Sequence, residues 1–240
     1  GLETIAIASA KIRSGMADCI IAGGAESMSY IPMGGYKPVP DYQLAKDGKE
    51  DYYWGMGLTA EAVAEEFKVS REDQDAFAYE SQMKAAKAQK EGLYTEIVPT
   101  PAAKYVLQDN GTYKKETFIQ DFDDGVRATT TKEGLAKLRA VFAVNGSVTA
   151  GNSSQTTDGA AATMIASGEA VKKYGLKPIA KLKMYTTVGC EPDEMGVGPA
   201  VAIPKLLNLA NMRPSDIGLW EINEAFASQA LYSIRTIGIQ

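Results

Sequence analysis

Leu2-Glu3-Thr4-Ile5-Ala6-Ile7-Ala8-Ser9-Ala10-Lys11-Ile12-Arg13, followed by Asp18-Cys19-Ile20-Ile21-Ala22-Gly23-Gly24, decides the fold class. In the first stretch Leu2, Ile5, Ala6, Ala8 and Ile12 recur at helical spacing, which predicts an amphipathic helix. The second is a short apolar run closed by two glycines, the pattern of a buried strand. A helix that feeds such a strand is the signature of an α/β chain.

Downstream, Pro32, Gly34, Gly35, Pro38 and Pro40 interrupt any period between Ser29 and about Asp51, which predicts a loop excursion out of the sheet. Helices are expected over 59–67 and from Ser70, where Ser70 and Asp73 form a capping-box-like start ahead of the stripe Phe77, Met83, Ala85 and Ala88. Residues 97–100 and 117–120 read as short edge strands around a polar turn, and 132–138 as a short helix. Beyond Val148 small residues dominate through Ala162, with a helix expected after Gly159; such density lets backbone approach another segment or a ligand closely. Residues 169–175, 199–210 and 225–237 read as helices. Residues 179–188, where Ala180, Leu182 and Met184 alternate with Lys181 and Lys183, and residues 217–222 read as strands.

Composition narrows the function. Of 240 residues, 25 are Lys or Arg and 30 are Asp or Glu, a net charge of -5. That argues against a nucleic-acid backbone or an anionic membrane as the main partner, since both reward a basic excess. Apolar residues at 45% and charged residues at 23% are ordinary globular usage. No apolar run approaches the roughly 20 residues of a membrane span. Two cysteines are too few for a disulfide scaffold and point to a reducing compartment, read as the cytoplasm. With no histidine, a Ser-His-Asp triad, a Cys-His pair and a His-rich metal site are excluded within these residues, and the scattered acids lack metal-ligand spacing.

Few residues offer chemistry. Cys19, inside an apolar strand, reads as a buried small hydrophobe, and Cys190 follows Gly189 in a loop with no activating base. Asn223 follows one element and precedes a helix, at the sheet edge where ligands of open α/β folds bind. Two readings stand for it: an amide that holds a water or polarises a carbonyl, or the N-cap of the helix through Ala225. The small, hydroxyl-rich stretch 149–159 is suited to cradle a phosphate or a pantetheine-like arm, without being a Walker loop. Met28, Met33, Met56 and Met195 line either a flexible apolar channel or an ordinary core.

Five segments in chain order resemble the motifs of thiolases: Ala22-Gly23-Gly24-Ala25-Glu26-Ser27-Met28-Ser29; Met56-Gly57-Leu58-Thr59-Ala60-Glu61; Glu72-Asp73-Gln74-Asp75-Ala76-Phe77-Ala78; Val148-Thr149-Ala150-Gly151-Asn152-Ser153-Ser154 with Asp158-Gly159-Ala160-Ala161-Ala162; and Asn223-Glu224-Ala225-Phe226-Ala227. Gly151-Asn152-Ser153-Ser154-Gln155 together with Lys132-Glu133-Gly134-Leu135-Ala136-Lys137-Leu138-Arg139 is most similar to the 3-ketoacyl-CoA thiolases.

The resemblance implies an α/β thiolase fold, layered αβαβα from two similar halves with an inserted loop domain. Residues 1–28 and 153–177 would belong to the N-terminal half, 29–152 to the loop domain over the CoA site, and 178–240 to the start of the C-terminal half. It implies an acyltransferase that cleaves 3-ketoacyl-CoA with CoA, or runs the reverse condensation, through an acyl-cysteine; an acetoacetyl-CoA thiolase and a non-catalytic acyl-CoA-binding relative are the alternatives. The family's nucleophilic Cys would sit three residues before Gly1, and its catalytic His and second Cys beyond Gln240, so residues 1–240 alone are expected to be inactive. Helix 1–13 would place its N-terminal dipole at that thiol. Asn223 would orient the oxyanion-hole water, a contribution on the order of 3 kcal/mol for one well-placed donor. Ser154, Ala150, Phe226, Met56 and Met195 would line the pantetheine and acyl channel, with Arg127 and Leu138 near the CoA nucleotide. Gly55 stands where short-chain biosynthetic thiolases carry a His, which favours a longer or less selective acyl chain. No permanent cofactor or metal is implied, CoA being a substrate, and the assembly would be a homodimer or homotetramer.

Overall fold

The computed structural model describes residues 1–239. In chain order its elements are α1 (Leu2–Arg13), β1 (Cys19–Ser27), α2 (Tyr42–Lys46), α3 (Met56–Glu66), α4 (Arg71–Lys90), β2 (Thr100–Leu107), β3 (Tyr113–Gln120), α5 (Lys132–Ala136), β4 (Asp158–Ala166), α6 (Gly168–Tyr174), α7 (Gly198–Ala210) and α8 (Ala227–Ile237). Short 3-10 turns at Glu50–Tyr53, Met195–Val197 and Pro214–Asp216 complete it.

The opening helix and strand form as their pattern predicts. α1 carries Glu3 in its first turn and Lys11 and Arg13 in its last, the order the helix dipole favours. β1 pairs antiparallel with β4 in unbroken register from Cys19↔Ala166 to Ser27↔Asp158, and α1 packs across both strands. The expected helix after Gly159 is therefore a strand. The alanines that suggested a helix face Gly23–Gly24 across the ladder, so closely that a Cβ on Gly23 would lie 2.6 Å from the Ala161 carbonyl oxygen. Only glycine permits that approach. Of the apolar run in β1, Ala22 alone is buried; Ile21 is 77% exposed and Cys19, expected in the interior, is exposed.

Of the helices between β1 and β4, α4 and α5 start where expected, while α3 starts at Met56, three residues early, and α2 lies in the expected loop. Ser70 Oγ accepts the Asp73 N–H at 3.1 Å, and Thr131 Oγ accepts the Gly134 N–H at 3.0 Å. The Asp73 carboxylate does not close a capping box; it accepts from Arg235 of α8 at 2.7 Å, which holds its carboxyl below the ordinary value. The two expected edge strands are longer and form one hairpin, with β2 and β3 in register from Thr100↔Gln120 to Leu107↔Tyr113.

Residues 179–188 and 217–222, expected as strands, form none. Alternation alone does not make a strand, because the ladder needs a neighbour, and these segments meet none among the described residues. Ile179 is 99% exposed and Leu219 77%.

The core gathers where α3, α4, α7 and α8 meet the 3-10 turn at Met195–Val197. Its side chains are mostly small: Ala60, Val63, Ala64, Val197, Ala200, Ala227, Ser228 and Ala230 are all buried. Small residues bring α8 close enough to α3 for Ser228 Oγ to donate to the Ala60 carbonyl at 3.0 Å. Phe67 stacks on Tyr232 at 4.0 Å beside this seam.

Where the chain leaves β1, Asp158 at the head of β4 accepts the Ser29 N–H at 2.8 Å and also its hydroxyl. These donors hold the Asp158 carboxyl below its ordinary 3.8. A depressed folded-state value stabilises above the unfolded pKa and is lost as pH falls through the folded one. Asp158→Asn is thus expected to lower the melting temperature at pH 7, and thermal melts should show the gap to the parent closing only below about pH 3.8.

Candidate active site

The candidate site forms where a tight turn after Val148 meets the segment leading into α8. Thr149 and Asn152 are buried, and Asn152 Oδ1 accepts the Thr149 N–H at 2.8 Å, which closes the turn on itself. From there the backbone runs beside residues 225–227. Ala227 N–H donates to the Asn152 carbonyl at 2.9 Å, Ser154 N–H donates to the Ala225 carbonyl at 2.8 Å, and Ser153 bridges Phe226. Ser154 and the Asn223–Phe226 segment, 69 or more residues apart in sequence, are thereby side by side.

Asn223 does not cap the helix. α8 begins at Ala227 with Phe226 in the cap position, whose N–H donates to Gln229 Oε1 at 3.4 Å. The Asn223 side chain is left exposed beside a cleft of about 480 Å³, lined by Phe77, Ser81 and Tyr94 from α4 and the loop after it, by Gly151–Gln155, and by Ile222–Ala225. The neighbouring Glu224, placed by the sequence with Asn223 at this edge but given no role, accepts from the Ser81 hydroxyl and ties the segment to α4. Ser154 is exposed at the cleft, its hydroxyl donating only to the adjacent Gln155 carbonyl at 3.2 Å.

On the other side of the segment, the Phe226 ring meets Phe142 edge-on at 5.9 Å. Phe142 lies directly over Gly57, where a Cβ would come within 2.1 Å of the ring, so Met56–Gly57, Phe142 and Phe226 share one apolar neighbourhood. Glycine at 57 is what lets the ring lie there. Met195 opens the 3-10 turn packed on α3 and α8 and is 44% exposed. The Leu138 side chain rests against Gly151, and Ala150 is exposed on the turn. Arg127 is fixed through its backbone, its N–H donating to Gln82 Oε1 at 2.8 Å at the rim of the cleft. Phe142 and Asn152 were not singled out from the sequence as site residues; only the position of Asn152 within a quoted motif pointed to it.

Among the described residues no group of His, Cys, Asp and Glu is placed to hold a metal. No helix there is long and apolar enough to cross a membrane. Cys19 and Cys190 are free and exposed. One acid near the site is perturbed: Glu194, which precedes Met195, hydrogen-bonds Glu66 at the end of α3 and is pushed up from 4.5 to about 7, with Asp193 and Glu191 adding repulsion.

The sequence that builds this small-residue turn and the pre-helical Asn-Glu-Ala-Phe segment matches the family model of the thiolase N-terminal domain over residues 1–169 and that of the thiolase C-terminal domain over 176–240. The chain belongs to the thiolase family and has its α/β fold. It is 49% identical over 240 residues to the 3-ketoacyl-CoA thiolase of Bacillus subtilis, matching 100% of this chain and 61% of that protein. It is 47% identical over 240 residues to the peroxisomal 3-ketoacyl-CoA thiolase A of Rattus norvegicus, again matching all of this chain and 54% of that one. Among solved structures, the dimeric peroxisomal thiolase of Saccharomyces cerevisiae superimposes with a TM-score of 0.86 at 36% identity, over 100% of this chain and 59% of its own. The human mitochondrial 3-ketoacyl-CoA thiolase gives 0.82 at 35%, over 100% and 62%. The chain thus spans little more than half the length of the relatives it matches.

The Glu66–Glu194 pair has a directional consequence. A carboxyl raised in the folded state stabilises fully below its unfolded value of 4.5, and that contribution is lost as pH rises through about 7. Glu66→Gln removes the repelling charge and keeps a donor for Glu194. Thermal melts should show the variant about 1–2 °C more stable than the parent at pH 8 and equal to it at pH 5, the small size reflecting solvent screening.

Proposed function

We propose that these residues are the central part of a longer thiolase that cleaves a 3-ketoacyl-CoA with free CoA to acyl-CoA and acetyl-CoA, or runs the reverse condensation. The observation that carries this reading is the pairing of the Asn152–Ser154 stretch with residues 225–227, next to Asn223, by two backbone hydrogen bonds beside an open cleft. In the cleavage a cysteine thiolate attacks the 3-keto carbon, the bond between C2 and C3 breaks, the acyl group remains on sulfur, and the acetyl-CoA carbanion takes a proton. CoA sulfur then takes the acyl group. The nucleophilic Cys and the His and Cys that move protons are assigned outside these 240 residues. Within them, Asn223 orients the water that donates to the developing oxyanion, and its exposed, uncapped amide is free for that role. Ser154 and Ala150 hold the pantetheine arm, and Phe226, Met56 and Met195 form the apolar wall of the channel, with Arg127 and Leu138 towards the nucleotide. This assignment divides the chain into 1–28 with 153–177, a loop domain at 29–152, and 178–240.

A longer acyl chain is the favoured substrate. Gly55 precedes α3, and a Cβ built there meets nothing within 4 Å, so the position offers room rather than a polar contact. CoA is a substrate and no bound cofactor is needed. The assembly is a homodimer or homotetramer, in keeping with a yeast relative that is dimeric by name. The two free cysteines support action in a reducing compartment, the cytoplasm, although the rat relative is peroxisomal by name.

Mass spectrometry of the longer protein mixed with a 3-ketoacyl-CoA should find an acyl adduct on a cysteine just ahead of Gly1, its mass reporting the chain transferred. Asn223→Ala is expected to lower kcat about 10²–10³-fold, with little change in the KM for CoA. Ser154→Ala should mainly raise that KM. Residues 1–240 alone should show no turnover in the same thiolysis assay. CoA binding with neither adduct nor turnover in the longer protein would leave a binding protein instead.

A further inference from the structure

One face of α4 carries a polar cluster that the chemistry above does not use. Arg71 and Asp75, one helical turn apart, form an ion pair with Nε to Oδ2 at 2.8 Å and side chains only 23% and 11% exposed. Each partner also reaches out of the helix. The same Arg71 guanidinium donates through Nη2 to the Leu135 carbonyl at 2.8 Å and to the Leu138 carbonyl at 2.9 Å. The other Asp75 oxygen accepts from Asn152 Nδ2 at 3.0 Å, and that amide also donates to the Ser147 carbonyl at 3.1 Å. Asn152 is 3% exposed and its own carbonyl takes the Ala227 N–H.

We infer that Arg71 and Asp75 are positioning residues for the thiolase reaction: they set the place of the Leu135–Leu138 segment and of the Asn152–Ser154 stretch against the turn bearing Asn223 and Phe226. This rests on the proposed function for its kinetic part and on geometry alone for the rest. The cluster joins three segments that are otherwise separate in sequence, and a mostly covered hydrogen-bonded network rigidifies the segments it ties together. Its donors and acceptors are matched so that no isostere fits. An asparagine at 75 has one acceptor oxygen where two donors, Arg71 Nε and Asn152 Nδ2, converge, so one donor would face its amide. A lysine at 71 keeps the charge toward Asp75 but lacks the planar fork that reaches two carbonyls as well. The two residues therefore act on different parts of the site, Asp75 on the Ser154–Asn223 side and Arg71 on the Leu138 side.

The test uses the longer thiolase carrying these residues, as parent, Asp75→Asn and Arg71→Lys. Thiolysis of a 3-ketoacyl-CoA is measured alongside amide hydrogen exchange, with folding checked by circular dichroism. Asp75→Asn should lower kcat about tenfold, since displacement of a supporting segment by a fraction of an ångström is costly at a preorganised site. It should also speed exchange at the Ser154 and Ala227 amides while leaving β1 and β4 at the parental rate. Arg71→Lys should raise the KM for CoA about threefold, keep kcat, and speed exchange at 135–140. Parental kinetics and exchange in folded Asp75→Asn would overturn the inference, as would an activity loss accompanied by equally faster exchange throughout the chain. If Asp75→Asn does not fold, Arg71→Lys decides: an unchanged KM with unchanged exchange at 135–140 overturns it. A parent without turnover sinks the functional reading instead, and the exchange pattern still decides the coupling.

Discussion

Two backbone hydrogen bonds, Ser154 N–H to the Ala225 carbonyl and Ala227 N–H to the Asn152 carbonyl, are the constraint on which the rest of the site depends. They join the end of the region matching the thiolase N-terminal domain to the region matching the C-terminal domain. Side chains alone would not fix that junction, because Ser154 and Asn223 are exposed and touch little. The supporting groups are buried instead. Asn152 closes the turn, Glu61 of α3 accepts the Ser147 and Val148 N–H groups at 2.8 and 2.9 Å, and Gln74 donates to Ser147 Oγ at 2.9 Å. Exposed side chains are thus mounted on a backbone held at several points by buried groups, which is how a site keeps its geometry while its functional side chains stay accessible.

How legible this was in the sequence varied with the kind of force involved. Helix starts were readable, since Ser70 and Thr131 act through neighbours three residues away and local chemistry decides them. α7 and α8 were readable from their apolar stripes to within two residues. Strands were not. β4 reads as helix because alanine favours helices, and a ladder against Gly23 and Gly24, more than a hundred residues earlier, outweighs that preference. Residues 179–188 show the reverse case, a correct alternation with no neighbour to pair with among the described residues.

At the site, the motif residues Ser154 and Asn223–Phe226 were singled out from the sequence and lie together. What the sequence hid were contacts that only folding creates. Phe142 carries no motif, yet it reaches Phe226 because Gly57 has no side chain to keep it away. Arg71 and Asp75 sit at the i, i+4 spacing of an ordinary surface ion pair, and nothing in that spacing tells that both are mostly covered and bonded elsewhere.

The register of β1 against β4 also bears on how the chain is made. Residues 28–157 lie between the two paired strands. At synthesis rates of roughly 5–20 residues per second, β1 would wait on the order of ten seconds for its partner to emerge. Through that interval Ile20 and Ile21 belong to an open strand edge, a surface that invites pairing with other chains. Gly23 and Gly24, with only the methyls of Ala22 and Ala25 beside them, leave the rest of that edge without large apolar side chains while it waits.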